Sequence, residues 1–269
     1  MEFFTTEFVN ESITRIHTSY GVDTFLIQGS KRAALIDTGY GIGSLKTFVA
    51  GLTDLPLDVI ITHGHVDHAG GANEFEKVYM SHKDLDVAKE HTTVKFRKDF
   101  AKMLSGNEPD VKDILPQRVA PYTDLKDGDI FDLGDITLEI IACGGHTPGC
   151  VCVLIKEQRL LILGDACNSR SFFFFPEALK ISTYYENLQI LNEREKEFDH
   201  VLFFHADNFE DKNNIEENLE VCREILAGTD DKVPAKLLGY DLFFAKKIRE
   251  DDHRADGKSA NILYSKDKI

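Results

Sequence analysis

The chain lacks several things that would have settled its class early. No stretch approaches the roughly 18 uninterrupted apolar residues of a membrane span; runs such as Cys150–Ile155 and Phe172–Phe175 are far shorter. The first residues, MEFFTTEFVNESITRIHTSYGVDTF, show no basic segment followed by an apolar one, so no secretory signal is expected. Cysteines number five, odd and without framework spacing, which reads as reduced thiols and a cytoplasmic protein. Positive charge is also scarce. Lys and Arg total 31 against 46 Asp and Glu, for a formal net charge of −15. A chain this acidic is a poor ligand for phosphate backbones or anionic membranes. Internal repeats, low-complexity linkers, Gly-x-Ser-x-Gly, a Walker A loop and a dinucleotide-binding glycine fingerprint are all missing.

What is present is an ordinary globular composition, 42% hydrophobic over 269 residues, in which strand-like and helix-like stretches alternate. Residues 24–28 and 33–37 flank Gly29 and Ser30 as a hairpin. Further strand-like runs are 57–61, 136–142, 150–155, 159–163 and 200–204. The spacing predicts helices over 83–104, 183–197 and 213–227, with a loop at 105–121 and a weakly patterned tail from 246 to 269. Sheets covered by helices, mixed rather than purely parallel, are the expected arrangement.

Histidine is rare and unevenly spread: three of ten fall in Thr62-His63-Gly64-His65-Val66-Asp67-His68. The run follows the apolar segment 57–61. His63 and His65, two apart, point to one side of an extended segment, and Asp67 and His68 open the next element. Imidazole nitrogen and carboxylate oxygen are ligands that zinc and iron accept. Other strand-like runs also end in potential ligands: Cys143-Gly144-Gly145-His146-Thr147-Pro148-Gly149, Gly164-Asp165, and His205-Ala206-Asp207. Strand ends are where sites assemble on α/β scaffolds.

Taken together, His63-x-His65-x-Asp67-His68, His146, Asp165 and His205 resemble the ligand pattern of the metallo-β-lactamase superfamily, over about residues 24–205. Asp37-Thr38-Gly39 resembles that family's first, structural motif, and Gly145-His146-Thr147-Pro148-Gly149 is close to its glyoxalase-II-like branch. The resemblance implies an α/β (α+β) fold, a four-layer αβ/βα sandwich of two mixed sheets with helices outside. It implies one such domain over 1–269, with a helical insert at about 83–118 and a C-terminal extension at about 228–269. It places His63, His65 and His146 on one metal and Asp67, His68 and His205 on a second, with Asp165 bridging. The metals expected are two divalent ions, zinc first, iron or manganese otherwise. Aspartate at 165, where the best-known zinc β-lactamases carry cysteine, argues against antibiotic hydrolysis. Cys167, two residues on, is not counted as a ligand.

The function this implies is a dinuclear metal-dependent hydrolase. A metal-bridging hydroxide would attack a small ester, thioester or lactone, with Asp67 orienting it and helping to carry a proton. Two alternatives stay open. Persulfide dioxygenases resemble the family too. They place one iron on the equivalents of His63, His146 and Asp165, and share a Gly-His-Thr-x-Gly-Cys run that Cys150 completes here. The other alternative is a non-catalytic, metal-stabilised binding module. Expected partners are a small-molecule substrate, no nucleic acid, no membrane, and at most a second copy of the chain.

Three features bear on specificity. Of the four consecutive phenylalanines, Phe172 and Phe174 line an apolar substrate pocket or pack between sheet and helix. Arg170 pairs a substrate anion or forms an exposed salt bridge. The 83–104 helix, with Lys95, Arg97, Lys98 and Lys102, caps the site, makes a dimer or presents a solvated amphipathic face, the last being preferred. His17, His82, His91, His200 and His253 lack a partner motif and read as surface or structural.

Overall fold

The computed structural model describes residues 3–107, 109–205, 210–251 and 253–269. They cluster into two compact units, Met1–Ile140 with Phe204–Ala206, and Ile141–Phe203 with Asp207–Ile269.

The first unit is built on a seven-stranded sheet in sequence order: β1 (Thr5–Phe8), β2 (Ile13–His17), β3 (Asp23–Gln28), β4 (Ala33–Ile36), β5 (Leu57–Ile60), β6 (Val78–Met80) and β7 (Thr123–Asp124). β1 to β4 pair antiparallel through short connections, including the expected hairpin with Phe25 opposite Ile36. β4 to β7 pair parallel, because each connection there carries a helix, as parallel crossovers require. These helices are α1 (Leu45–Ala50), α2 (Val66–Ala69), α3 (Leu85–His91) and α4 (Val94–Ser105). All four residues of β4 are buried, the signature of a strand covered on both faces. The core gathers Leu26, Leu35, Val59, Val78 and Met80 with Leu45 and Val49 of α1. A hairpin of β8 (Ile130–Asp132) and β9 (Thr137–Ala142) follows.

The single helix expected over 83–104 is two. Thr93 is extended, with ψ 144°, and its side chain accepts the Phe96 N–H at 3.2 Å as the cap of α4. A β-branched capping residue with its own partner ends one helix and starts another.

In the second unit β10 (Val151–Ile155) and β11 (Leu160–Ile162) form an antiparallel pair, and β11 runs parallel to β13 (His200–Leu202) across α5 (Ile181–Glu193). β12 (Arg170–Phe173), introduced between β11 and α5, belongs to a separate four-stranded sheet. β14 (Glu210–Asp211) pairs with β13, and α6 (Asn213–Ala227) then leads to β15 (Val233–Leu237), β16 (Tyr240–Phe244) and β17 (Asn261–Tyr264). The separate sheet has the order β12-β17-β16-β15. The expected helix 213–227 is found as read. The tail expected to be weakly patterned supplies β17, an inner strand. None of the five cysteines forms a disulfide, and all are buried. Among the described residues no helix is long and apolar enough to cross a membrane.

Candidate metal centre

β4 and β5 are parallel neighbours, so the residues after them emerge side by side, Asp37 after the first and Thr62 after the second. Asp37 is fully buried with φ +66°. Its Oδ1 accepts the Thr62 N–H at 2.7 Å and its Oδ2 accepts the Thr62 hydroxyl at 2.7 Å. The same Oδ2 lies 2.7 Å from Nδ1 of His68. An ionised carboxylate only accepts, so this contact puts the imidazole proton on Nδ1 and leaves Nε2 as a ligand atom. Thr62 repeats the device one step further out. Its proton goes to Asp37, so its oxygen accepts from His63 Nδ1, 3.2 Å away. His63 Nε2 then faces His65 Nδ1 at 3.2 Å.

Asp67 and His68 sit on α2, and His205 follows β13. Asp67 Oδ2 is 3.6 Å from His68 Nε2 and 3.7 Å from His205 Nε2. The three ligand atoms lie within 4.8 Å of one another. Those distances exceed hydrogen bonds. They suit three donors sharing one cation, since tetrahedral ligands about 2.1 Å from a metal stand about 3.4 Å from each other. The donor set therefore fits a divalent metal. His205 is held through its neighbour: the Phe204 carbonyl accepts the Asp23 N–H at 2.9 Å, and the Phe204 ring packs edge-on against Phe25 and His68. Ala206 and Asp207 of the His-Ala-Asp run lie outside the described residues.

Two supports escaped the sequence reading. Asp84, fully buried, accepts the Gly64 N–H at 2.8 Å. Gly64 is obligatory there, because a Cβ would come within 2.9 Å of the Ala88 nitrogen and the Asp84 carbonyl. His91, read as surface or structural, is buried. Its ring stacks on His65 at 4.7 Å and on Phe96 at 4.3 Å. Neither residue lies in a motif; only α3 brings them to the ligand loop.

In the second unit His146 and Asp165 come together, His146 Nε2 standing 3.5 Å from Asp165 Oδ2. His146 Nδ1 is 3.1 Å from the Phe172 carbonyl, an acceptor, which again fixes the proton on Nδ1 and turns Nε2 toward the carboxylate. Asn168 donates to Asp165 Oδ1 at 3.4 Å. Burial pushes the Cys167 thiol well above its ordinary range, and its sulfur is engaged by Asn214 and Asn218. It is a neutral core thiol.

The specificity candidates fall as follows. Phe172 and Phe174 do diverge from Phe173, which packs on Tyr184 of α5 at 4.5 Å. Phe174 is buried with Leu242 and Leu263, and Phe172 is partly buried at the edge of that cluster. Arg170 lies over the Phe244 ring at 5.6 Å. The preferred solvated face of the 83–104 segment holds for Lys95, which pairs with exposed Asp99. It fails for Arg97, which is fully buried. The guanidinium donates to the carbonyls of Tyr40, Gly41, Gly70 and Leu115. Burial draws its pKa down to about 10. His17 pairs with Asp23, and His82 Nε2 donates to the Tyr122 carbonyl at 3.0 Å while its backbone N–H donates to Asp124 Oδ1 at 3.0 Å.

Comparison with known proteins places this geometry. A family model described as "Metallo-beta-lactamase superfamily" matches residues 18–209. The human protein named "Acyl-coenzyme A thioesterase MBLAC2" is 29% identical over 177 residues, 60% of this chain and 63% of that protein. The "Atrochrysone carboxyl ACP thioesterase nsrC" of Aspergillus novofumigatus is 24% identical over 152 residues, 55% of this chain and 39% of its own. The chain thus spans less than two thirds of the length of these curated relatives. Among solved structures, the DIM-1 metallo-beta-lactamase superposes with a TM-score of 0.60 at 19% identity, over 83% of this chain and 99% of that one. The archaeal superfamily protein ST1585 from Sulfolobus tokodaii does so with 0.54 at 18% identity, over 81% and 85%. At such identities the likeness shows the fold alone, and that fold is the expected α/β class.

Proposed function

The chain belongs to the metallo-beta-lactamase superfamily, and from that premise we propose that it is a dinuclear metal-dependent hydrolase acting on a thioester or ester. The observation that carries the proposal is the convergence of Asp67 Oδ2, His68 Nε2 and His205 Nε2. That second ligand set favours two ions over the single iron of a dioxygenase. We assign His63, His65 and His146 to one metal, Asp67, His68 and His205 to the other, and Asp165 to both. Nitrogen and oxygen donors of this kind suit zinc, with iron or manganese as alternatives. Thioester cleavage is favoured over lactone opening because relatives in the comparison bear thioesterase names.

Bound divalent cations would lower the pKa of water to about 7 and polarise a substrate carbonyl. The protein's own groups do the rest. Asp37 and Thr62 hold His68 and His63 in the tautomers that present Nε2. The Phe172 carbonyl does the same for His146. Asp67 is the proton carrier of the set: its carboxylate is 15% exposed and borders His68 and His205. It takes a proton from water and delivers it to the departing sulfur or oxygen. No side-chain nucleophile is needed.

The test is metal content of protein purified without added metal, paired with a thioester and lactone hydrolysis screen. About two ions per chain with thioester turnover, lost in Asp165→Ala and in His205→Ala, is the expected result. One iron per chain, with oxygen consumed on a persulfide and no ester turnover, would replace this reading with the dioxygenase.

A further inference from the structure

The register of the C-terminal sheet sorts its side chains into two faces. Phe172, Leu263, Phe244 and Val233 lie in one row across β12, β17, β16 and β15. Two residues along, Leu242 pairs with Ala235, and beyond them Tyr240 pairs with Leu237. Alternation sends Phe173 and Tyr264 to the opposite face, where both are buried. The first face is different. Phe174, Leu242 and Leu263 are buried at its centre, while Phe172, Phe175, Ala235 and Phe244 are only partly covered. Tyr240 and Leu237 remain 40% and 38% exposed. The result is a continuous apolar strip, uncommon on a protein that has no use for it.

The strip starts at the candidate centre. Phe172 is the residue whose carbonyl fixes His146, so its half-open ring begins where His146 and Asp165 end. We propose that this face of the C-terminal sheet binds the acyl chain of the substrate, a linear alkyl chain running from Phe172 toward β15. The inference rests on the hydrolase reading above and adds the substrate class to it. Beside the Arg170 guanidinium the strip offers hydrocarbon and aromatic surface, which matches an alkyl chain. Arg170, two residues from Phe172 on the same face, holds its guanidinium over the Phe244 ring at 5.6 Å, so the chain passes on the Tyr240 side, where the Phe174 and Tyr240 rings meet at 5.4 Å. Three strand spacings of about 4.8 Å give a path of about 14 Å, enough for an alkyl chain of about ten carbons.

The experiment uses the full zinc-loaded chain with N-acetylcysteamine thioesters from acetyl to dodecanoyl, and separately measures displacement of a fluorescent fatty acid by decanoate, which needs no turnover. On a half-open surface kcat/KM should rise about 2- to 4-fold per methylene and level off near ten carbons. In Phe244→Ser and in Tyr240→Ser the decanoyl-to-acetyl ratio should fall about tenfold or more, with decanoate binding weakened in parallel. Tyr240, at the exposed end, guards against a folding defect at Phe244. Turnover that ignores chain length, with no decanoate binding, overturns the proposal and leaves the hydrolase standing. So does a dimer that Tyr240→Ser converts to monomer without touching either readout, which would assign the strip to a second copy. Decanoate binding that Tyr240→Ser weakens, in a protein that cleaves no thioester, sustains the acyl site and sinks the hydrolase.

Discussion

Asp37 governs the protonation of two imidazoles without touching substrate. Its Oδ2 receives both the Thr62 hydroxyl and His68 Nδ1–H, and Thr62 passes the constraint to His63. Asn at this position keeps the volume and tolerates a φ of +66°. It cannot accept from all three donors, so one imidazole must turn a proton toward the metal. Asp37→Asn should weaken zinc binding about 10- to 100-fold, read by competition with a chelator, while metal-free protein melts nearly as before. Unchanged affinity would remove Asp37 from the centre. The same residues show where sequence reading stops. His63 to His68 is legible because the ligands are contiguous. Asp37 entered only through a resemblance, its partners lying 25 and 31 positions away. The Phe172 carbonyl has no signature at all, since any residue supplies a backbone oxygen.

At the scale of elements, polarity misled where burial was unexpected. Arg97 follows the charge pattern of a surface helix, yet it enters the core and ties α4 to the loop after β4 and to Gly70 at the end of α2. Its guanidinium stays charged at neutral pH even with its pKa drawn to about 10. Arg97→Met would strand four carbonyls and should cost about 3–5 kcal/mol, seen as a lower urea midpoint. Arg97→Lys should recover part of it. A midpoint within error of the parent would mean that water replaces the guanidinium. Short strands were missed for a different reason: β17 has four residues, too few to show a period against its charged surroundings. Its Tyr264 hydroxyl donates to Asp230 at 2.6 Å. Burial first, and that carboxylate second, raise the phenol above its usual range. A phenol raised on folding stabilises fully below its unfolded value of about 10 and loses that contribution as pH climbs through the folded one. Stability should therefore decline above about pH 10, and Tyr264→Phe should flatten that decline. A decline equally steep in both proteins would show that other groups cause it.

At the scale of the whole chain, a net charge of −15 means that folding gathers like charges, and the candidate ligands concentrate carboxylates and imidazoles further. A cation that binds the folded chain and finds no such arrangement in the unfolded one must stabilise it by mass action. At 100 times its Kd, zinc should add about 2.7 kcal/mol. For a protein of this size that is a rise in Tm of about 5 °C. EDTA should lower the melting temperature and zinc restore it. Magnesium should do much less, because it prefers all-oxygen sites that keep several waters. In the double variant His68→Ala/His205→Ala the zinc-dependent shift should shrink while the far-ultraviolet circular dichroism stays that of the parent, which separates loss of ligands from loss of fold. Should EDTA-treated and zinc-saturated parent melt at one temperature, the convergence around Asp67 would be a polar cluster rather than a metal site, and the dinuclear hydrolase would go with it.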